Sequence, residues 1–188
     1  MGDDAMSGFN PIAILVVVYL AVILQATVDP LRHWVGVQID LLPSLMVYAS
    51  LSGGIVTVLS VAVCGGLWFD SLSANPLGIS VLPLFLAGLL IQRSRELLLR
   101  EQAFAQFLVG ALASAAVPLL TLLLLLNTDV HPLVSWFSLW QWLVVTLVGG
   151  AITPLWFRFF QVLGRALNYR LVGESSFRPD RQLKRGKQ

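Results

Sequence analysis

The chain has 188 residues, 57% hydrophobic and only 12% charged, whereas a soluble domain carries about a quarter charged residues. That balance excludes an ordinary water-soluble domain. The net charge of +2 is also too small and too localised to mark a nucleic-acid surface. Seven of the twelve Lys and Arg lie from Arg165 onward, three more are Arg93, Arg95 and Arg100, and long apolar stretches separate these islands. The pattern predicts an all-α integral membrane protein, a compact bundle of about six transmembrane helices. Residues 1–165 are expected to form one polytopic domain, and residues 166–188 a basic cytoplasmic tail.

The first apolar run is Ile12 to Val28, ended by Asp29-Pro30. Its leader holds Asp3 and Asp4 and no Lys or Arg, so it reads as a retained helix rather than a signal peptide. The stretch from Asp40 to Asp70 is too long for one straight span and short for two. Ser52-Gly53-Gly54 interrupts it, and paired glycines are poor helix interior. Two short helices are therefore expected, near Leu41 to Leu51 and Ile55 to Phe69. Short spans of this kind need cover from protein rather than lipid.

Asp70 to Pro76 reads as a turn, followed by a span from Leu77 to Ile91. The polar stretch Gln92 to Gln102 carries the arginine cluster. The fifth span is Ala103 to Leu126 and the sixth runs from Trp136 to near Phe160. Basic loops stay in the cytoplasm, which places the arginine cluster, the tail and both termini inside. A five-helix count would put the N terminus outside instead; the glycine pair and the excess length favour six. Trp136, Trp140 and Trp142 are expected at the outer interface, and Trp156, Phe157, Phe159 and Phe160 at the inner one.

No catalytic constellation stands out, so no enzyme activity, metal or cofactor is expected. His33 and His131 have no neighbour at ligand spacing, and Cys64 is alone in an apolar run. No acid or base falls mid-span. The uncharged mid-span residues Gln25, Thr57, Ser60, Thr121, Gln141, Thr146 and Thr153 are expected to bond neighbouring helices. Small residues crowd Gly110 to Ala115, Gly65-Gly66 and Gly149-Gly150, which favours close helix packing. The face of Gly110 and Ser114, and the bend at Gly53 and Gly54, are expected to serve helix packing, either within the chain, the favoured reading for each, or as docking faces for a partner. Pro118 and Pro154 are expected to kink their helices.

One segment is more specific. Gly65-Gly66-Leu67-Trp68-Phe69-Asp70-Ser71-Leu72-Ser73-Ala74-Asn75-Pro76-Leu77-Gly78 resembles the central motif of the rod shape-determining protein MreD family. That motif is a Gly-rich apolar helix, then Asp, a short Ser-containing turn, and Pro-Leu-Gly opening the next helix. Asp70 is placed to accept hydrogen bonds from turn amides or to cap that helix. Pro76 suits its start, and Gly78 would allow close packing. Leu24-Gln25-Ala26-Thr27 resembles the family's first-helix ending. Pro43-Ser44-Leu45 sits where the family has Pro-Asp-Leu, with Ser replacing Asp, and Tyr48 and Gly53-Gly54 fall where it has an aromatic and a glycine bend.

The resemblance implies a noncatalytic subunit of the cell-elongation complex in the bacterial inner membrane, acting in cell shape and peptidoglycan synthesis. The implied partner is a bitopic MreC-type protein, and through it the MreB filament, RodA and the elongation transpeptidase. It also implies a helix arrangement similar to the substrate-binding subunits of energy-coupling-factor transporters. The rival function is therefore a small-molecule (vitamin) uptake subunit, for which Trp34, His33, Trp68, Asn75 and Asn127 are the candidate site residues.

Overall fold

A computed structural model describes residues 11–27, 40–73, 76–94, 102–127 and 136–172. Six helices run through them: α1 Pro11–Thr27, α2 Leu42–Ser52, α3 Ile55–Leu72, α4 Val81–Arg93, α5 Ala103–Leu126 and α6 Trp136–Val172. No strand occurs among the described residues. Three helices are long and apolar enough to cross a membrane: α3, α5 and, over Ser138–Arg165, α6. The remaining helices are apolar but shorter.

The shortest, α2, forms the centre. Its 11 residues rise about 16 Å, half of a ~30 Å hydrocarbon core. Leu42 through Leu51 are all buried, with α1, α4, α5 and α6 packed around them. A helix apolar on every side has no face to offer water, so it belongs in the core. Its hydroxyls are satisfied locally: Ser44 donates to the Leu41 carbonyl at 2.8 Å and Ser50 to that of Met46 at 2.7 Å. The short helix thus finds its cover within this chain. No partner is needed to shield α2, which narrows the docking expectation at the Gly53-Gly54 bend to α3.

The break at Gly53-Gly54 stands where the sequence places it. Gly53 N–H donates to the Ala49 carbonyl at 2.8 Å, and both glycines are extended. A Cβ on Gly53 would lie 2.7 Å from Thr57 Cβ, whereas one on Gly54 meets nothing. A π-helical turn, Val61–Gly65, interrupts α3.

Two boundaries differ from expectation. Helix α4 begins at Val81 rather than Leu77, because Pro76 to Ser80 form a separate turn. Helix α6 does not end near Phe160 but continues to Val172, so the segment expected to open the tail is helical. No proline lies between Phe160 and Val172 to stop it.

Helices α5 and α6 form the closest pair. A Cβ on Gly110 would fall on the Thr153 hydroxyl, and one on Gly149 on that of Ser114. A Cβ on Gly150 would stand 3.0 Å from Ala111 Cβ. The face of Gly110 and Ser114 is therefore buried inside the chain, the internal-packing alternative, and not free to dock a partner. The threonines also depart from expectation. Thr121, Thr146 and Thr153 donate to carbonyls four residues back in their own helices, at 3.0, 2.8 and 2.8 Å, rather than to neighbours. This back-bonding is the cheapest way to satisfy a hydroxyl in apolar surroundings. Among the inner aromatics, Phe157 and Phe160 are core rather than interface: Phe160 stacks on Tyr48 at 4.0 Å and Phe157 meets it edge-on.

Candidate functional site

The motif Gly-Leu-Trp-Phe-Asp is a joint between α3 and α4. Gly66 and Asp70 lie four residues apart and so share one helix face. A Cβ on Gly66 would stand 2.9–3.1 Å from Val81 Cγ2, Cα and N. The missing side chain is what lets the α4 N terminus seat against α3. One turn on, Asp70 reaches the same segment. Its Oδ2 accepts from Gly78 N–H at 2.9 Å and Ser80 N–H at 3.1 Å, and its Oδ1 accepts from the Ser80 hydroxyl at 2.6 Å. Asp70 is 1% exposed and Ser80 4%.

A buried carboxylate is tolerable only when it is well hydrogen-bonded, and here three donors engage both of its oxygens. The amides belong to the turn that precedes α4, so the carboxylate satisfies donors that a helix start leaves orphaned. Gly78 has φ +88° and open space where its Cβ would be. It serves a left-handed turn position, not the close packing expected of it. Pro76 accepts from Ile79 N–H at 3.3 Å within that turn. Leu77 is exposed. The Ser73 hydroxyl lies 3.3 Å from the Asp70 carbonyl.

A second polar corner joins α1 to α2. Gln25 Oε1 accepts from Leu41 N–H at 3.2 Å, and its Nε2 approaches Asp40 Oδ1 at 3.5 Å. Asp40 Oδ1 also accepts from Leu42 N–H at 3.0 Å. Gln25 thus bonds a neighbouring element, as expected of it. Asp40 lies ahead of α2, outside the spanning helices. Burial pushes its carboxyl from 3.8 up to about 6, opposed by the Leu42 and Gln25 hydrogen bonds and aided by the charge of Asp70. Farther in, Trp156 Nε1 donates to Ser44 Oγ at 3.2 Å, tying α6 to α2 at the position where the resembled family carries Asp.

Both corners lie at one end of the bundle, beside a cavity of about 610 Å³. Gln25, Asp40 and Ser80 line it from the two corners, and α5 and α6 supply most of its apolar lining together with Thr121, Ser138 and Gln141. Sequence reasoning missed this cavity. Asp40 stands out in the sequence only as the start of the long apolar stretch, and Ser80 does not stand out. The signal for Ser80 was its place just ahead of a helix. Of the residues named for a vitamin site, Trp68 packs edge-on against Tyr19 at 4.9 Å and Asn127 donates to the Leu123 carbonyl at 3.2 Å. Neither lines the cavity. His33, Trp34 and Asn75 lie outside the described residues, as do Arg95, Arg100 and both chain termini.

No family model matches this chain, and no curated protein or solved structure matches it either.

Proposed function

We propose that the chain is a noncatalytic membrane subunit of a bacterial cell-elongation complex, working by helix docking with a single-span, MreC-type partner. The observation that carries this reading is the Gly66–Asp70–Ser80 joint. It gives the residues on which the MreD resemblance rests a structural task, the fixed pairing of α3 with α4, and engages both oxygens of the motif carboxylate in that task. A group so occupied is poorly placed for acid–base chemistry. The small face of α5 is taken up internally, so the docking surface narrows to the outward ridge of α3. Ile55, Leu59, Val63 and Leu67 recur there every four residues and are 37–58% exposed, next to the open space at Gly54. Association in lipid depends on tight fit rather than on hydrophobic driving force, which a flat aliphatic ridge beside a glycine can supply.

The test is co-expression with an MreC-type protein followed by affinity purification in mild detergent. Copurification that is lost on Gly54→Trp or Leu59→Trp, with both proteins folded, supports the reading. Failure of the wild-type chain to retain the partner would overturn it.

A further inference from the structure

The cavity beside Asp40 leads to an inference independent of partner docking. Its volume of about 610 Å³ falls within the ~300–1,000 Å³ of small-ligand sites. Its lining is mixed: Gln25, Asp40 and Ser80 come from the two polar corners, Leu122, Leu125, Leu139 and Val145 are aliphatic, and Thr121, Ser138 and Gln141 add uncharged polar groups from α5 and α6. Among the described lining residues Asp40 is the one ionisable group, and no Lys, Arg or His faces it. Its Oδ1 is held by Leu42 N–H and Gln25, which leaves Oδ2 without a protein partner among the described residues. The Ser80 hydroxyl is already committed to Asp70 and cannot donate to a ligand as well.

Among the described lining residues the formal charge is a single carboxylate, which repels anionic headgroups and favours a donor-bearing cation. The aliphatic wall asks for hydrocarbon on the same molecule. We propose that this cavity binds an amphiphilic amine, its ammonium group on Asp40 Oδ2 and its tail between α5 and α6. The head and tail requirements are separable, because different residues impose them: Asp40 the head, and the α5 and α6 leucines the tail.

Native mass spectrometry of the full chain in neutral detergent tests both. The probes are dodecylamine, dodecanol, dodecyl phosphate and the tail-less ethylamine. Dodecylamine is expected to bind saturably, at least about tenfold more tightly than each of the other three. Asp40→Asn should remove about tenfold of that preference while leaving the weak dodecanol binding unchanged. Leu122→Trp, which fills the wall, should abolish binding of every dodecyl probe. Equal affinity for dodecylamine and dodecyl phosphate would overturn the assignment of the head. Equal affinity for ethylamine would overturn that of the tail. Both comparisons use the wild-type protein, so neither depends on a variant folding.

Discussion

Replacing Asp70 separates a structural carboxylate from a chemical one. In Asp70→Leu, the Gly78 and Ser80 amides and the Ser80 hydroxyl lose their acceptor in a site that is almost fully enclosed. A buried unsatisfied donor costs about 1–3 kcal/mol, so three together cost roughly 3–6 kcal/mol after some relief from rotation of the hydroxyl. That is a large share of a typical folding stability of about 5–15 kcal/mol. Asp70→Asn behaves differently because the two amides converge on one oxygen. With its carbonyl oxygen at the Oδ2 position, Asn keeps both of those bonds, and its NH2 group faces a Ser80 hydroxyl that can turn to accept. The remaining loss is charge assistance, about 1–2 kcal/mol. Thermal unfolding in detergent, read alongside folded yield, should rank wild type above Asn and Asn far above Leu. Ser80→Ala in the Leu background should cost less than in wild type, since the hydroxyl it removes is already orphaned. Equal destabilisation by Asn and Leu would refute the hydrogen-bond reasoning. A fully folded Asn variant that has lost partner binding and cell-shape function would show that the charge itself has a role.

Gly78 sits at φ +88° in open space, so Gly78→Ala should cost about 1–2 kcal/mol through backbone strain alone, with Gly78→Asn milder, as thermal unfolding would reveal. Gly110→Leu should drive a side chain into Thr153 and abolish folded yield; a stable variant that merely loses its partner would contradict the internal placement of that face. Asp40 is pushed up to about 6 by burial, so its contribution to stability is full below pH 4, declines as the pH rises through about 6 and stays lost above it. Asp40→Asn should accordingly gain on the wild type by up to about 3 kcal/mol at pH 7.5 relative to pH 4, and a pH-independent difference between the two melting curves would refute the shift.

Much of the helix map was legible from hydropathy and glycine placement. The Gly53-Gly54 break was readable because Ser52 and the glycine pair fall in the middle of a stretch too long for one straight span, and there both glycines are extended. The role of Asp70 was readable because an Asp ahead of a Ser-, Asn- and Pro-containing turn is placed to accept hydrogen bonds from the turn's amides. The depth of its burial was not, since that depends on Gly66 admitting Val81, a tertiary contact. The central position of α2 was equally hidden: a short apolar helix looks the same whether lipid or protein surrounds it. The threonines were misread because a sequence does not say whether a hydroxyl bonds its own helix or a neighbour. The cavity was invisible because its lining comes from segments as far apart as Gln25 and Val145.

Photo-crosslinking from the α3 ridge tests the docking account most directly. A photoreactive amino acid would be placed at Leu59, on the outward ridge, and at Leu155, which is exposed on α6, in cells that co-express an MreC-type partner. A partner docked on α3 would crosslink through its single span from position 59 and not from position 155, and cells would round when Leu59 is replaced by Trp. Crosslinks from both positions alike, or from neither in cells that keep their rod shape, would contradict it.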